Sequence, residues 1–384
     1  MKERIENVGA NEIEIYLKEK YVFKFNHVLD RTLFKKADSD GELNLLRNYD
    51  FNSILRELKN IGFRISGNSL NELLKSNFVE SFNPIVEYIN QLPEWDGEKD
   101  YINMISQTVK VTDNELFKWA FKKWFVAYVM CAYSDKEVNQ TALIFTGKQG
   151  LGKTTWILNL VPRALEAYSY SGKINPSNKD STLLLSDKIL INIDELASYT
   201  NTQVEAYKEL ITKNTVTERR AYGRFTENYI RRASFAGSSN HNEILMDTTG
   251  NRRFLVFEAI EKFDYPSDNL INLAFSQAFS MFKNDYKYYF EGEDIERIEE
   301  NNIRYKQSSF EEELISKYFR LPTADDSELK KAMNASEIVQ YLKKIKDVKT
   351  NLSIITIGKI MSSKGFTTSK YNGIKKYNLE LIFE

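Results

Sequence analysis

Gly147-Lys148-Gln149-Gly150-Leu151-Gly152-Lys153-Thr154-Thr155 packs three glycines, two lysines and two threonines into nine residues. The spacing Gly147-x-x-x-x-Gly152-Lys153-Thr154 is the full phosphate-binding-loop pattern. Each letter has a physical reason. Gly147, Gly150 and Gly152 allow positive φ, so successive backbone N–H groups can turn toward one anion. Lys148, Gln149, Leu151 and Thr155 contribute backbone to the same cradle. Lys153 would reach the β- and γ-phosphates of ATP, and the Thr154 hydroxyl would bind Mg²⁺. A chance glycine-rich turn is the plainer reading of such a pattern. The apolar run Ala142–Phe145 before it and a helical run from Lys153 to about Leu160 after it favour a nucleotide loop.

A second pair of groups bears on what the triphosphate is used for. Ile189-Leu190-Ile191-Asn192-Ile193-Asp194-Glu195 is an apolar strand ending in two acids, 41 residues after Lys153. At the carboxyl end of a strand beside the loop, Asp194 can hold Mg²⁺ and Glu195 can orient and deprotonate a water. A small-molecule kinase needs no Glu195, because its acceptor is a substrate hydroxyl. Asn240 follows the strand Ser234–Ser239, where its side chain can touch the γ-phosphate or the attacking water; a loop-entry asparagine is the alternative. Arg252 and Arg253 enter another strand, and alternation lets only one face a given side. A guanidinium there suits charge developing on a transferred phosphoryl, in trans from a neighbouring subunit, with Arg252 preferred; a structural ion pair is the alternative.

The stretch 213–232 holds six cations against two acids, a net +4 in a chain of net −1. Thr215–Thr217 and Tyr229-Ile230 read as hairpin arms. Lys213, Arg219, Arg220, Tyr222 and Arg224 are its candidate nucleic-acid contacts, since guanidinium groups beside an aromatic suit a single-stranded backbone with stacked bases. A charged surface hairpin or a subunit contact remains the alternative.

The elements that must position these groups follow from periodicity. Strands alternating with helices over residues 138–260 predict a mostly parallel α/β sheet; Leu183–Leu185 is a further apolar segment within it. Ahead of it lie an accessory region, residues 1–80, and a helical joint, 81–137. The first has a helix to Lys20, strands at Tyr21–Val28 and Arg31–Lys36, and two amphipathic helices stopped by Gly62. The joint has a turn at Trp95-Asp96-Gly97 and a long buried helix, Asn114–Tyr133. Residues 261–325 read as a helical lid, with one helix from Asp294 to about Arg320. Residues 326–384 read as a small winged-helix-like module, two helices and a hairpin around Asn372-Gly373. Its lysines Lys359, Lys364, Lys370, Lys375 and Lys376 make either a positive binding side or ordinary solubilising charge.

The chain has 384 residues, 42% hydrophobic and 28% charged, as expected of a soluble protein with several cores. One cysteine, Cys131, excludes an internal disulfide, and two histidines leave almost nothing for a zinc or Cys/His catalytic site. A charged start at Met1–Glu6 and lysines in the most apolar helix predict a cytoplasmic protein with no membrane span.

The order of motifs resembles the superfamily 3 helicases of the AAA+ class, and more narrowly the virulence-associated protein E family of phages and mobile elements. The resemblance rests on Leu92-Pro93-Glu94-Trp95-Asp96-Gly97, the 147–155 loop, Ile193-Asp194-Glu195-Leu196, Arg219-Arg220-Ala221-Tyr222-Gly223-Arg224 and Thr249-Gly250-Asn251-Arg252-Arg253-Phe254. It implies an α/β P-loop NTPase core of AAA+ type, with a mostly helical N-terminal region and the winged-helix-like module at the other end. It further implies a homo-hexameric ring with ATP at subunit interfaces and Asn240 as sensor. One of Arg252 and Arg253 would be the trans finger, and the basic hairpin would grip single-stranded or forked DNA. The N-terminal region is short for the primase domain many relatives carry, so a primase would be a separate chain. Leu255 stands where relatives often have an aromatic, which touches packing and not mechanism. Two functions stay open: a DNA helicase of a mobile element or phage, or a nucleotide-switched binding ATPase (a loader or defence-type factor) that does not unwind.

Overall fold

Five short strands, most of them wholly buried, form the parallel sheet on which the candidate residues are mounted: β5 (Ala142–Thr146), β6 (Ser169–Ser171), β7 (Leu190–Ile193), β10 (Ser234–Ser238) and β11 (Phe254–Glu258). The computed structural model describes residues 10–175, 178–195, 199–221, 223–245, 250–306, 310–323, 330–346, 352–371 and 373–382. Tyr222, Leu196, Thr249 and Asn372 lie outside them.

The strand order is β11-β5-β10-β7-β6, and every neighbouring pair is parallel. Near-continuous apolar strands such as Ala-Leu-Ile-Phe-Thr and Leu-Ile-Asn-Ile are what a parallel sheet covered on both faces requires. Helices α7 (Lys153–Leu158), α8 (Lys179–Asp187) and α9 (Asn201–Thr212) follow strands in the crossovers. Leu183–Leu185 belongs to α8. Strand β6 was not foreseen, because Ser-Tyr-Ser at a sheet edge carries no apolar run.

One long helix, α6 (Asn114–Tyr133), buries residues on every face from Leu116 to Ala132. Phe117 stacks on Phe121 and meets Phe145 and Phe257 of the sheet edge-on or tilted. Trp156 and Phe263 close the same aromatic cluster. Cys131 of the same helix is buried, its thiol facing the Arg231 and Ala233 carbonyls. Helices α4 (Pro84–Gln91), α5 (Tyr101–Ser106), α10 (Asp268–Lys283) and α11 (Glu293–Asn302) surround α6. The joint before α5 is the anticipated turn. Asp96 Oδ1 accepts from the amides of Glu98 and Lys99, Trp95 Nε1 donates to the Lys99 carbonyl, and Gly97 sits at φ 77°.

The N-terminal region has α1 (Ala10–Lys20), α2 (Asn48–Asn60) and α3 (Gly67–Leu74). They cover a sheet of order β3-β2-β1-β4, made of β1 (Tyr21–Asn26), β2 (Arg31–Lys36), β3 (Asn44–Leu45) and β4 (Glu80–Phe82). The described residues of 1–80 are α+β, with the expected helices and the strand pair β1–β2, and with β3 and β4 added, which are too short to show as alternation; the mostly helical region that the resemblance implies does not describe them. Asn26 Nδ2 donates to Tyr168 Oη of the main sheet's side at 2.6 Å, fully buried.

The fold divides into two units, Met1–Asn242 with Gly250–Ile303, and Glu243–Thr249 with Arg304–Glu384. The helix expected from Asp294 to Arg320 is broken. Helix α11 ends at Asn301-Asn302, whose side chains donate to the Val256, Phe254 and Asn251 carbonyls, the kind of side-chain bonding that competes with helix continuation. The second unit has its own core, with α12 (Phe310–Tyr318), α13 (Ala335–Lys346) and α14 (Ile354–Ser363). Its antiparallel sheet joins β12 (Phe319–Arg320), β13 (Lys330–Met333), β14 (Thr368–Tyr371) and β15 (Ile374–Leu381). The hairpin expected around 372–373 is β14–β15, with Gly373 at φ 80°. Among the described residues no helix is long and apolar enough to cross a membrane.

Candidate functional site

Because all five strands run the same way, their carboxyl ends share one edge, and that edge collects the polar side chains. The loop after β5 has Gly147, Gly150 and Gly152 at φ 115°, 85° and 87°. At two of them no side chain fits. A Cβ on Gly147 would stand 2.6 Å from the Ala259 carbonyl oxygen, and one on Gly152 would stand 2.5 Å from the Tyr265 hydroxyl. The loop is thus held by the segment after β11, where Ala259 N donates to Thr146 O and Phe263 N donates to Leu151 O.

Lys153 is buried, and its ammonium donates to the Gly147 and Lys148 carbonyls at 2.7 and 2.8 Å and to Asn240 Oδ1 at 3.3 Å. Burial lowers its pKa and the Glu195 carboxylate opposes that. Asn240 also donates through Nδ2 to Glu195 Oε2 at 3.1 Å. Lys153, Asn240 and Glu195 form one chain of contacts across three strand ends. Glu195 adopts φ 54°, a left-handed conformation costly for a glutamate, so its carboxylate is aimed by backbone strain as well as by Asn240.

Asp194 is the hub of the neighbouring network. Its Oδ1 accepts from Thr154 Oγ1 at 3.0 Å, Ser238 Oγ at 3.1 Å and Asn192 Nδ2 at 3.1 Å, and its Oδ2 accepts from Ser171 Oγ at 3.2 Å. Thr154 and Ser238 hydroxyls are 3.2 Å apart. Ser171, Asn192 and Ser238 escaped sequence reading. The available signal was a polar residue inside an apolar strand, Asn192 two places before Asp194 on the same face. Among the described residues no cluster of three or more His, Cys, Asp or Glu can hold a metal. Thr154 and Asp194 bring a hydroxyl and a carboxylate together, hard oxygen donors of the kind a magnesium ion takes.

Arg252 and Arg253 stand at the opposite edge of the sheet. Phe254 pairs with Ala142, so the arginines precede the amino end of β5 while the loop follows its carboxyl end, about 17 Å away for a five-residue strand. They line a cavity of about 510 Å³ with Glu137, Asn139, Asn214 and Tyr288. Arg252 is exposed; Arg253 is half-buried and its Nε has no hydrogen-bond partner. Within one chain neither arginine meets Lys153.

The basic stretch forms an antiparallel hairpin, β8 (Thr215–Glu218) with β9 (Glu227–Ile230). Its charges separate into two kinds. Arg231 is fully buried and donates to the Ile211, Lys213, Asn139 and Ala233 carbonyls; Arg232 is buried against the Ala132 carbonyl and Asp135. Arg220 bridges Asp187 and the Val28 carbonyl and lies over the Tyr229 ring. Arg231 and Arg232 hold the hairpin's base, and Arg220, beyond the end of β8, ties its other end to Asp187 and Val28. Arg219 is exposed at the tip, Arg224 pairs on the surface with Glu72, and Lys213 is half-buried. Phe225, unflagged in sequence, is 71% exposed between the arms.

A virulence-associated protein E-like domain model matches residues 89–312, from the joint through α11 into α12. The chain belongs to that family. Among solved structures, the apo NrS-1 C-terminal region is similar at 14% identity over 96% of this chain and 98% of that one, with a TM-score of 0.49. Its A form matches at 15% identity, the same coverage and a TM-score of 0.47. No curated protein matches. The family match includes the 147–155 loop, Asp194-Glu195, Asn240, the hairpin and the arginine pair, and leaves the N-terminal sheet and most of the second unit outside it.

Proposed function

We propose that this chain is a P-loop NTPase of the AAA+ and superfamily 3 type, an ATP-hydrolysing replication motor of a phage or mobile element that moves on single-stranded DNA. The observation that supports it is the contact chain Lys153–Asn240–Glu195 beside Thr154–Asp194, five groups from one sheet edge around a loop that only glycine can form.

In this reading, ATP seats its phosphates in the loop, where a Mg²⁺ bound with it would neutralise phosphate charge. Lys153 exchanges its contacts with the Gly147 and Lys148 carbonyls for phosphate oxygens. Thr154 and Asp194 would hold that ion, with Ser171, Asn192 and Ser238 fixing the Asp194 carboxylate. Asn240 holds Glu195 where it orients and deprotonates the attacking water. The distance between the loop and Arg252-Arg253 fits an arginine supplied by a neighbouring copy, in a ring that on the family pattern is a homo-hexamer. Of the two, exposed Arg252 is the finger. Arg219, with Lys213 and Arg224, contacts the strand, and Arg220 shapes the hairpin.

The second reading, a nucleotide-switched ATPase without unwinding, draws on Arg220 and Arg224 being engaged by Asp187 and Glu72. One assay separates them. Strand displacement from a forked duplex with Mg-ATP, absent in Lys153→Ala, supports the motor. ATP hydrolysis stimulated by DNA without displacement supports the switch, and hydrolysis unchanged in Lys153→Ala removes both.

A further inference from the structure

Residues 330–384 carry eleven lysines against four acids, a net +7 in a chain whose total is −1. Folding leaves much of this excess unpaired: Glu380 is turned inward and taken by Arg320 and Thr323, while Glu337 pairs with Lys376 and Glu312 with Lys364. Most of the rest of the positive charge faces solvent.

The β14–β15 hairpin carries part of it on facing strand positions. Lys370 lies directly opposite Lys375, and Tyr371 opposite Ile374. Both lysines are exposed, and neither has an acidic partner among the described residues. Like charges directly across a ladder destabilise a hairpin, so this pairing is a cost unless an anion lies against both. Between them Tyr371 is 66% and Ile374 52% exposed, with the Lys376 ammonium 5.8 Å from the centre of the Tyr371 ring. Helix α14 adds exposed Ile354, Ile355 and Lys359.

We infer that the second unit is a duplex-DNA-binding module, with the β14–β15 hairpin entering a groove and its lysines on the flanking phosphates. Two observations select a duplex over a single strand. A two-stranded ribbon has the width a groove admits. A single-strand platform needs successive aromatics, and this hairpin exposes one. The order α12, β13, α13, α14, β14, β15 fits a winged helix, with β14–β15 as its wing. This goes beyond the motor reading and stands if that reading fails, because no residue of the nucleotide edge enters it.

The test uses the full chain without nucleotide, with a fluorescently labelled short blunt duplex and a single strand of equal length, read by anisotropy. Lys370→Glu/Lys375→Glu is expected to weaken duplex binding by roughly tenfold or more and to lower the salt slope by about 2. Tyr371→Ala, which keeps the charge, is expected to weaken duplex binding at unchanged salt slope. Thermal melts and ATP affinity of all variants serve as the folding check, and Lys343→Glu/Lys344→Glu on α13 is a second charge reversal away from the wing. Duplex binding that is absent in the wild type, unchanged in the wing variant, or reduced equally by the α13 reversal overturns the inference. So does a wing variant that loses only the single strand.

Discussion

Lys153 and Glu195 never touch, yet Asn240 binds both, so the three are separable by what each removes. Lys153→Ala should abolish nucleotide binding, seen as loss of fluorescent-ATP affinity. Glu195→Gln keeps the size and the Asn240 contact but not the base. It should bind ATP normally and hydrolyse it about 100-fold or more slowly, measured as phosphate release. Equal loss of binding in both variants would mean Glu195 shapes the loop. Asp194→Asn should shift the Mg²⁺ requirement upward while Ser171→Ala shifts it less, because Thr154, Ser238 and Asn192 still hold the carboxylate.

At the scale of elements, the hairpin's arginines divide between structure and surface. Arg231→Met would leave the Ile211, Lys213 and Asn139 carbonyls without a donor, at about 1–3 kcal/mol each, a large share of a domain's margin. Its melting temperature should collapse, whereas Arg219→Ala should melt as wild type and bind single strands more weakly, with a shallower salt dependence. The N-terminal sheet offers a pH test. Tyr16 and Tyr21 hydroxyls donate to Glu57 at 2.6 and 2.7 Å, which holds that carboxyl below its usual range and pushes the Tyr16 hydroxyl up to about 12. A depressed carboxyl stabilises the fold above its unfolded pKa and loses that as pH falls through the folded value. Glu57→Gln should therefore lower the melting temperature at neutral pH, and the gap to wild type should close in acid.

For the whole molecule, the separation of loop and arginines across the sheet makes assembly the decisive observable. Mass measured with an ATP analogue and single-stranded DNA should rise to a closed ring. Arg252→Ala should keep nucleotide affinity and assembly while losing most hydrolysis. Mixing it with Glu195→Gln should then restore part of the activity, since some interfaces receive one intact wall from each chain. A monomer under every condition would exclude an arginine in trans.

Local chemistry determined much of this protein from sequence alone. The glycine spacing at 147–152, the apolar strands, the long helix 114–133 and the paired hairpin arms all rest on interactions within a few residues. For the same reason Arg231, Arg232 and Arg220 could not be told from Arg219 in sequence. Their partners, Asn139, Ala132 and Asp187, come from other elements, and only packing sets which guanidinium is buried. Strands β3, β4 and β6 were too short or too polar to show, since pairing made them strands. The network Ser171–Asn192–Asp194–Ser238–Thr154 draws on four separate stretches of chain. Only the parallel strand order puts their carboxyl ends on one edge, and the same order sends Arg252 and Arg253 to the other.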